Sequence, residues 1–315
     1  MNLHEDSEMF NDLATLTSEW RNIPVTSIKR DYLIVMILEQ LSDSKYVDKC
    51  VFKGGTSLSK CYPGTINRFS EDIDLTYLNK TDESKKNIER SIKDIEKKLS
   101  SGLCMEKVES ERSQQAKSSY VWINGIGEHD KVKLEIASSI RPEPYKKMEL
   151  KTYIHEFLEE QKLLDDIKKY ELTPIEVNVL DITRTFVDKV LAVKRHAFNG
   201  NLDIKVRHIY DVVCLFEHED IKALFVNKAE LKELLDKTKK TDQFYIKKRK
   251  LHEKYIPDSP YNFDEWKEKF DSHKIRSNYE SLHEELLYTN EIQQFDKAIK
   301  IFEEISSLFQ EIEGN

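Results

Sequence analysis

The sequence has no apolar run approaching 18 residues, which excludes a membrane-spanning helix of ordinary length. Its opening, MNLHEDSEMF, lacks the charged-then-apolar pattern of a signal peptide. Cysteine is sparse, and Cys50, Cys61, Cys104 and Cys214 stand far apart, with no C-x-x-C and no grouping with histidine. That excludes a zinc ribbon and a disulfide framework, and it suits free thiols in a reducing cytoplasm. No internal repeat or low-complexity tract breaks the chain. Positive charge is not in excess, because 50 Lys and Arg face 58 Asp and Glu for a net charge of −8. A general affinity for nucleic acid is therefore excluded, and any RNA contact must come from a local patch. The expectation is a soluble, cytoplasmic protein. Its 315 residues, 39% of them hydrophobic, suit one large domain or two modest ones.

What is present is concentrated in Val51 to Tyr77, VFKGGTSLSKCYPGTINRFSEDIDLTY. Strand alternation puts Asp72, Asp74 and Thr76 on one face and Ile73, Leu75 and Tyr77 on the other. Two carboxylates about 7 Å apart at Cα, unneutralised, repel by roughly 3 kcal/mol, a cost most readily met by a divalent cation between them. Upstream, Val51-Phe52-Lys53 reads as a short strand entering Gly54-Gly55, with a helix expected from Thr56 to about Cys61. Two glycines there let backbone N–H groups approach a phosphate, and the helix start adds unpaired donors. Gly54, Gly55, Thr56 and Ser57 are thus candidates to cradle a triphosphate. The G-x-x-x-x-G-K-[ST] spacing of a Walker A loop is missing.

The unit resembles the nucleotidyltransferase superfamily of DNA polymerase β, and F-K-G-G-T-S-L-S-K followed by R-F-S-E-D-I-D-L is similar to the AbiEii/AbiGii toxin nucleotidyltransferases. Sixteen residues separate Gly55 from Asp72, long for the superfamily but usual for this branch. The resemblance implies an α/β (α+β) fold, a polymerase β-like core with a mixed sheet over residues 1–180 and a helical C-terminal domain over 181–315. The site is expected in the groove between them. It also implies a third carboxylate on a neighbouring strand, for which Glu135 in Lys131-Val132-Lys133-Leu134-Glu135-Ile136 is the choice. A plain Lys133/Glu135 surface pair is the alternative. Asp188-Lys189 and Arg207-His208-Ile209-Tyr210-Asp211 match further family elements, which makes Lys189 a candidate for phosphate and Asp211 a candidate site residue. The second element departs from the commoner K-D-x-x-D, and Arg207 with Asp211 reads equally well as a helical ion pair. Lys29-Arg30-Asp31-Tyr32 matches a basic-Asp-Tyr element.

Along the rest of the chain, helices are expected over 7–20, 27–41 and 82–100, the last with Ile88, Ile92, Ile95 and Leu99 as its buried stripe and its charged residues solvated. Strands are expected over 103–109, 119–124, 131–136 and 174–180, with a polar helical stretch from Pro144 to about Tyr170. Asp181 should cap a helix that Asn199-Gly200 ends, carrying an Arg184–Asp188 pair. Phe244 to Lys250 is the densest basic region, and Lys247, Lys248, Arg249 and Lys250 are candidates to bind RNA. A final helix is expected from Asn290, with Ile292, Phe295, Ile299, Phe302, Ile305, Phe309 and Ile312 along one side.

The reaction expected from the resemblance is transfer of a nucleotide from NTP to an RNA hydroxyl, with tRNA the favoured acceptor. Asp72, Asp74 and Glu135 would hold Mg²⁺ (or Mn²⁺), and a separately encoded antitoxin would be the partner. Ser70, two residues before Asp72, would share its face and touch the nucleotide if the strand begins that early. One rival is a nucleotide-binding module that is toxic by sequestering a partner, though three retained carboxylates argue against it. The other is a D-x-D-x-T phosphohydrolase, but Arg68-Phe69-Ser70-Glu71 stands where that motif needs an apolar strand.

Overall fold

The computed structural model describes residues 1–80, 82–124, 130–138, 141–246, 253–285, 288 and 292–314. It divides into two compact units, Met1–Cys61 with Phe69–Leu180 and Tyr62–Arg68 with Asp181–Asn315.

The first unit is built on a seven-stranded mixed sheet, ordered β3-β4-β5-β2-β1-β7-β6. Its strands are β1 (Cys50–Lys53), β2 (Asp72–Tyr77), β3 (Cys104–Lys107), β4 (Ala116–Trp122), β5 (Val132–Ala137), β6 (Tyr145–Leu150) and β7 (Ile175–Leu180). Three pairings fix the centre: β1 runs antiparallel to β2 and parallel to β7, and β2 runs parallel to β5. Helices α1 (Ser7–Arg21) and α2 (Val25–Ser42) precede the sheet, and α3 (Gly54–Cys61) follows β1 directly. The others are α4 (Lys85–Leu99), α5 (Tyr153–Glu160) and α6 (Leu164–Lys169). Helix α2 is apolar almost all round and α4 carries a single stripe, so α2 is largely buried while α4 buries Ile88, Ile92, Ile95 and Leu99.

Two expectations about this unit are corrected. The stretch after Pro144 is first a strand, β6, paired antiparallel with β7. Its sequence YKKMEL is polar because it lies at the sheet edge, where charged residues discourage further pairing. The charged side of α4 is not wholly solvated either. Glu96 is buried and binds Arg112 through both carboxylate oxygens, at 2.6 and 2.7 Å.

The second unit is helical, with α7 (Ile182–Asn199), α8 (Arg207–Phe216), α9 (Glu219–Val226) and α10 (Lys228–Tyr245) packed together. After these come α11 (Lys267–Phe270), α12 (His273–Glu280), α13 (Leu282–Glu285) and α14 (Phe295–Glu313). Asp181 caps α7 by accepting from the Thr183 N–H at 3.0 Å, and Gly200 ends it in the left-handed region at φ +70°. Helix α14 begins at Phe295, not Asn290, so Ile292 lies outside it and is exposed. Phe295, Phe302, Ile305 and Phe309 are core; Phe302 and Phe309 meet Tyr261, Phe263 and Trp266 in edge-on and tilted ring contacts, and Phe295 meets Phe270 and Tyr279.

Candidate active site

The site is set by strand register. Lys53 pairs with Asp74 across β1 and β2, while Asp72 pairs with Lys133 and Asp74 with Glu135 across β2 and β5. Paired residues on adjacent strands share a face, so Lys53, Asp72, Asp74, Lys133 and Glu135 lie together. Burial follows the same alternation. Asp72, Asp74, Lys133 and Glu135 are half-buried, and Ile73, Leu75, Leu134 and Ile136 between them are buried. Thr76 continues the Asp72 and Asp74 register but is fully buried.

The glycine turn meets this face. Gly54 has φ +89°, a conformation that an L side chain rarely adopts, and a methyl group built there would overlap the Asp74 carboxylate, whose Cγ is 3.1 Å away. Both backbone and space therefore require glycine, and the result is a carboxylate lying against the start of α3. The helix begins at Gly54 itself, two residues earlier than expected. The Thr56 hydroxyl donates to the Asp72 carbonyl at 2.5 Å and the Ser57 hydroxyl to the Gly54 carbonyl at 3.0 Å, both from buried side chains. Those hydroxyls tie α3 to β2 and close its first turn. Ser70 is buried and precedes β2, which begins at Asp72, so strand alternation does not reach it.

Lysines offset the repulsion between the carboxylates. Lys53 Nζ lies 3.7 Å from Asp74 Oδ1. Lys133 Nζ lies 2.5 Å from Glu135 Oε1 and 2.7 Å from Glu111 Oε2. Burial pulls the Lys133 ammonium down, but its hydrogen bonds to Glu111 and Glu135 outweigh that and hold its pKa above the ordinary lysine value.

Among the described residues no group of three or more His, Cys, Asp or Glu side chains is placed to hold a metal ion by itself. The donor set nonetheless fits a hard divalent cation. Mg²⁺ is typically held by one or two carboxylates plus substrate phosphates and water, and Asp72 and Asp74 beside a glycine turn would supply the protein's share.

Two buried ion clusters, one in each unit, join residues far apart in sequence. Asp31 on α2 meets Lys60 Nζ at 2.6 Å and accepts from the Tyr153 N–H at 2.7 Å. Lys60 also donates to the Lys151 carbonyl and lies 3.9 Å from the Tyr153 ring centroid. The basic-Asp-Tyr element thus anchors the end of α3 opposite the glycine turn, and Arg30 pairs with Glu71, the residue before Asp72.

The second cluster lies wholly in the helical unit. Asp211, fully buried, receives Arg68 Nε at 2.6 Å and Nη2 at 2.7 Å, and Lys189 Nζ at 2.6 Å. Burial alone would raise this carboxyl, but Arg68 and Lys189 hold its pKa well below the usual carboxylate range. Asp211 therefore pairs with Arg68 and Lys189, not with Arg207 as an i,i+4 pair. Arg184 and Asp188 do pair along α7, at 2.8 Å. Lys189 is itself buried, off the apolar stripe but turned to Asp211. Lys247, Lys248, Arg249 and Lys250 lie outside the described residues, and just before them Phe244 is 68% exposed near the end of α10.

The profile of the family described as nucleotidyl transferase AbiEii toxin, type IV TA system, matches residues 36–304. The chain belongs to the AbiEii toxin family. Its fold is that of the nucleotidyltransferase toxins. The solved structure of MenT4, nucleotidyltransferase toxin Rv2826c from Mycobacterium tuberculosis H37Rv, aligns with a TM-score of 0.61 at 14% identity, covering 94% of this chain and 89% of that one. JHP933 from Helicobacter pylori aligns at 14% identity over 91% of this chain and 94% of its own, with a TM-score of 0.46. A comparison with curated proteins gave no match. No described helix is long and apolar enough to cross a membrane. Membership in the AbiEii family sets aside the D-x-D-x-T phosphohydrolase.

Proposed function

We propose that this AbiEii-family toxin transfers a nucleoside monophosphate from NTP to the hydroxyl of an RNA, with the 3′ end of tRNA as the favoured acceptor. The observation that carries the reading is the register that gathers Asp72, Asp74 and Glu135 on one face beside a turn that must be glycine. Asp72 and Asp74, with Glu135 beside them, would hold Mg²⁺, for which Mn²⁺ can substitute. When bound, the ion supplies positive charge at the phosphates of the nucleotide. The chain's own groups do the rest. The Gly54 and Gly55 N–H groups bind phosphate oxygens at the start of α3. Glu135 accepts the proton of the attacking hydroxyl at its carboxylate. The Thr56 bond to the Asp72 carbonyl keeps turn and strand in step.

The family resemblance also assigns Lys189, for the leaving phosphates, and Asp211 to the site, and the two pair with each other beside Arg68. The basic segment 247–250 with Phe244 is the proposed RNA contact, an aromatic beside cations. A separately encoded antitoxin is the proposed protein partner, and the cytoplasm the proposed location. The test is to incubate purified protein and Mg²⁺ with each labelled NTP in turn and total RNA as acceptor. Label transferred to RNA from one NTP supports the reading. Tight NTP binding with no transfer to any RNA would replace it with the sequestering module.

A further inference from the structure

We propose that Lys53 is an exchangeable counterion, whose ammonium neutralises Asp74 in the nucleotide-free protein and passes to the nucleotide's phosphates when metal and NTP load. The proposal rests on the transferase reading and adds to it a substrate-positioning residue. Lys53 is the last residue of β1, next to Gly54, and its register partner is Asp74. Its side chain is 20% exposed, on the same face as Asp74.

The three lysines assigned to this chemistry are held very differently. Lys133 is gripped by two carboxylates at 2.5 and 2.7 Å, and Lys189 meets Asp211 at 2.6 Å. Lys53 pairs with one carboxylate at 3.7 Å, beyond the 2.7–2.9 Å of a charge-assisted hydrogen bond. It is the loosest of the three and the nearest in sequence to the phosphate-binding turn. A divalent cation on Asp74 would repel the ammonium and take its partner. Phosphate oxygens at Gly54 and Gly55 then offer a new partner within reach of the same flexible stem.

This arrangement has a signature that a merely structural lysine lacks. Without nucleotide, Lys53 competes with the metal for Asp74. With nucleotide, it stabilises the complex. Removing its charge should therefore move the two affinities in opposite directions.

The test compares the wild type with Lys53→Gln, Lys53→Arg, Asp74→Asn and Lys49→Gln, all shown to be folded by circular dichroism. Lys49 is exposed and lies just before β1, so its variant reports the general effect of losing one positive charge. Mn²⁺ binding without nucleotide is read by electron paramagnetic resonance. Binding of an α,β-methylene NTP analogue with Mg²⁺ is read by calorimetry. Lys53→Gln should bind Mn²⁺ alone about threefold tighter and the analogue about tenfold weaker, with Lys53→Arg between it and the wild type. Both affinities unchanged, both shifted the same way, or the same pattern in Lys49→Gln would overturn the role of Lys53. If Asp74→Asn binds Mn²⁺ and analogue as the wild type does, the transferase site itself is misassigned and Lys53 falls with it.

Discussion

Replacing Asp211 with asparagine should unfold or loosen the helical unit at neutral pH. Asp211 is fully buried and is bonded to both Arg68, at 2.6 and 2.7 Å, and Lys189, at 2.6 Å. Asparagine keeps the shape and one acceptor oxygen but leaves two buried cations without a counter-charge. Breaking a buried pair by removing one partner costs about 3–5 kcal/mol, and two cations share this carboxylate, so the upper half of that range is expected. The pH dependence follows from the depressed pKa of Asp211. A carboxyl whose folded pKa lies below its unfolded value contributes stability that is complete above the unfolded pKa, near 3.9, and is lost as pH falls through the folded value. The wild type should therefore lose this contribution only below about pH 4, and Asp211→Asn should lack that part of the acid response. Urea unfolding at pH 7 and at about pH 2–3 measures the free energies above and within that window, and hydrogen exchange at the α7 and α8 amides places the loss. A variant within about 1 kcal/mol of wild type at pH 7 would refute the reasoning, because it would mean that the cluster is solvated.

Lys60→Met should cost about 3–5 kcal/mol, because it strands the buried Asp31 carboxylate with only the Tyr153 N–H, and urea unfolding of the variant checks it. Two glycines with positive φ separate conformational strain from the site. Gly200→Ala, with nothing within 4 Å of the new methyl group, should lose about 1 kcal/mol and leave nucleotide binding unchanged. Gly54→Ala should also displace the Asp74 carboxylate and abolish measurable transfer, so calorimetric NTP binding and transfer assays on both variants read the difference. Neutralising Lys247, Lys248 and Lys250 together should weaken RNA binding more than NTP binding and flatten its salt dependence by about 2–3 units of slope, measured by filter binding at several salt concentrations.

The regular parts of the fold were legible because local rules agree with the tertiary structure. Asp181 as cap, Gly200 as terminator and the isoleucine stripe of α4 are decided within a few residues of chain. The carboxylate face was legible for the same reason, since a period of two fixes the side of Asp72 and Asp74, and Glu135 follows once β5 pairs parallel with β2. Strand β6 was hidden because an edge strand needs no apolar alternation, and YKKMEL has little. The bonds of Asp211 were hidden because Arg68 lies 143 residues away, and a neighbour at i−4, Arg207, offered a simpler partner. Asp31 was seen as part of a motif, but its work of fixing α3 through Lys60 needs the tertiary structure. Lys53 stood in the quoted motif, yet its ion pair depends on the β1–β2 register.

The most direct test of the site is transfer of labelled nucleotide to RNA by the wild type, Asp72→Asn and Asp74→Asn, with thermal unfolding measured on the same preparations. Each substitution removes a charge that the proposed metal site requires, while the partly exposed Lys53–Asp74 pair contributes no more than about 1 kcal/mol to stability. Both variants should therefore unfold within a few degrees of the wild type and transfer no detectable nucleotide. Full transfer by either variant would contradict the account.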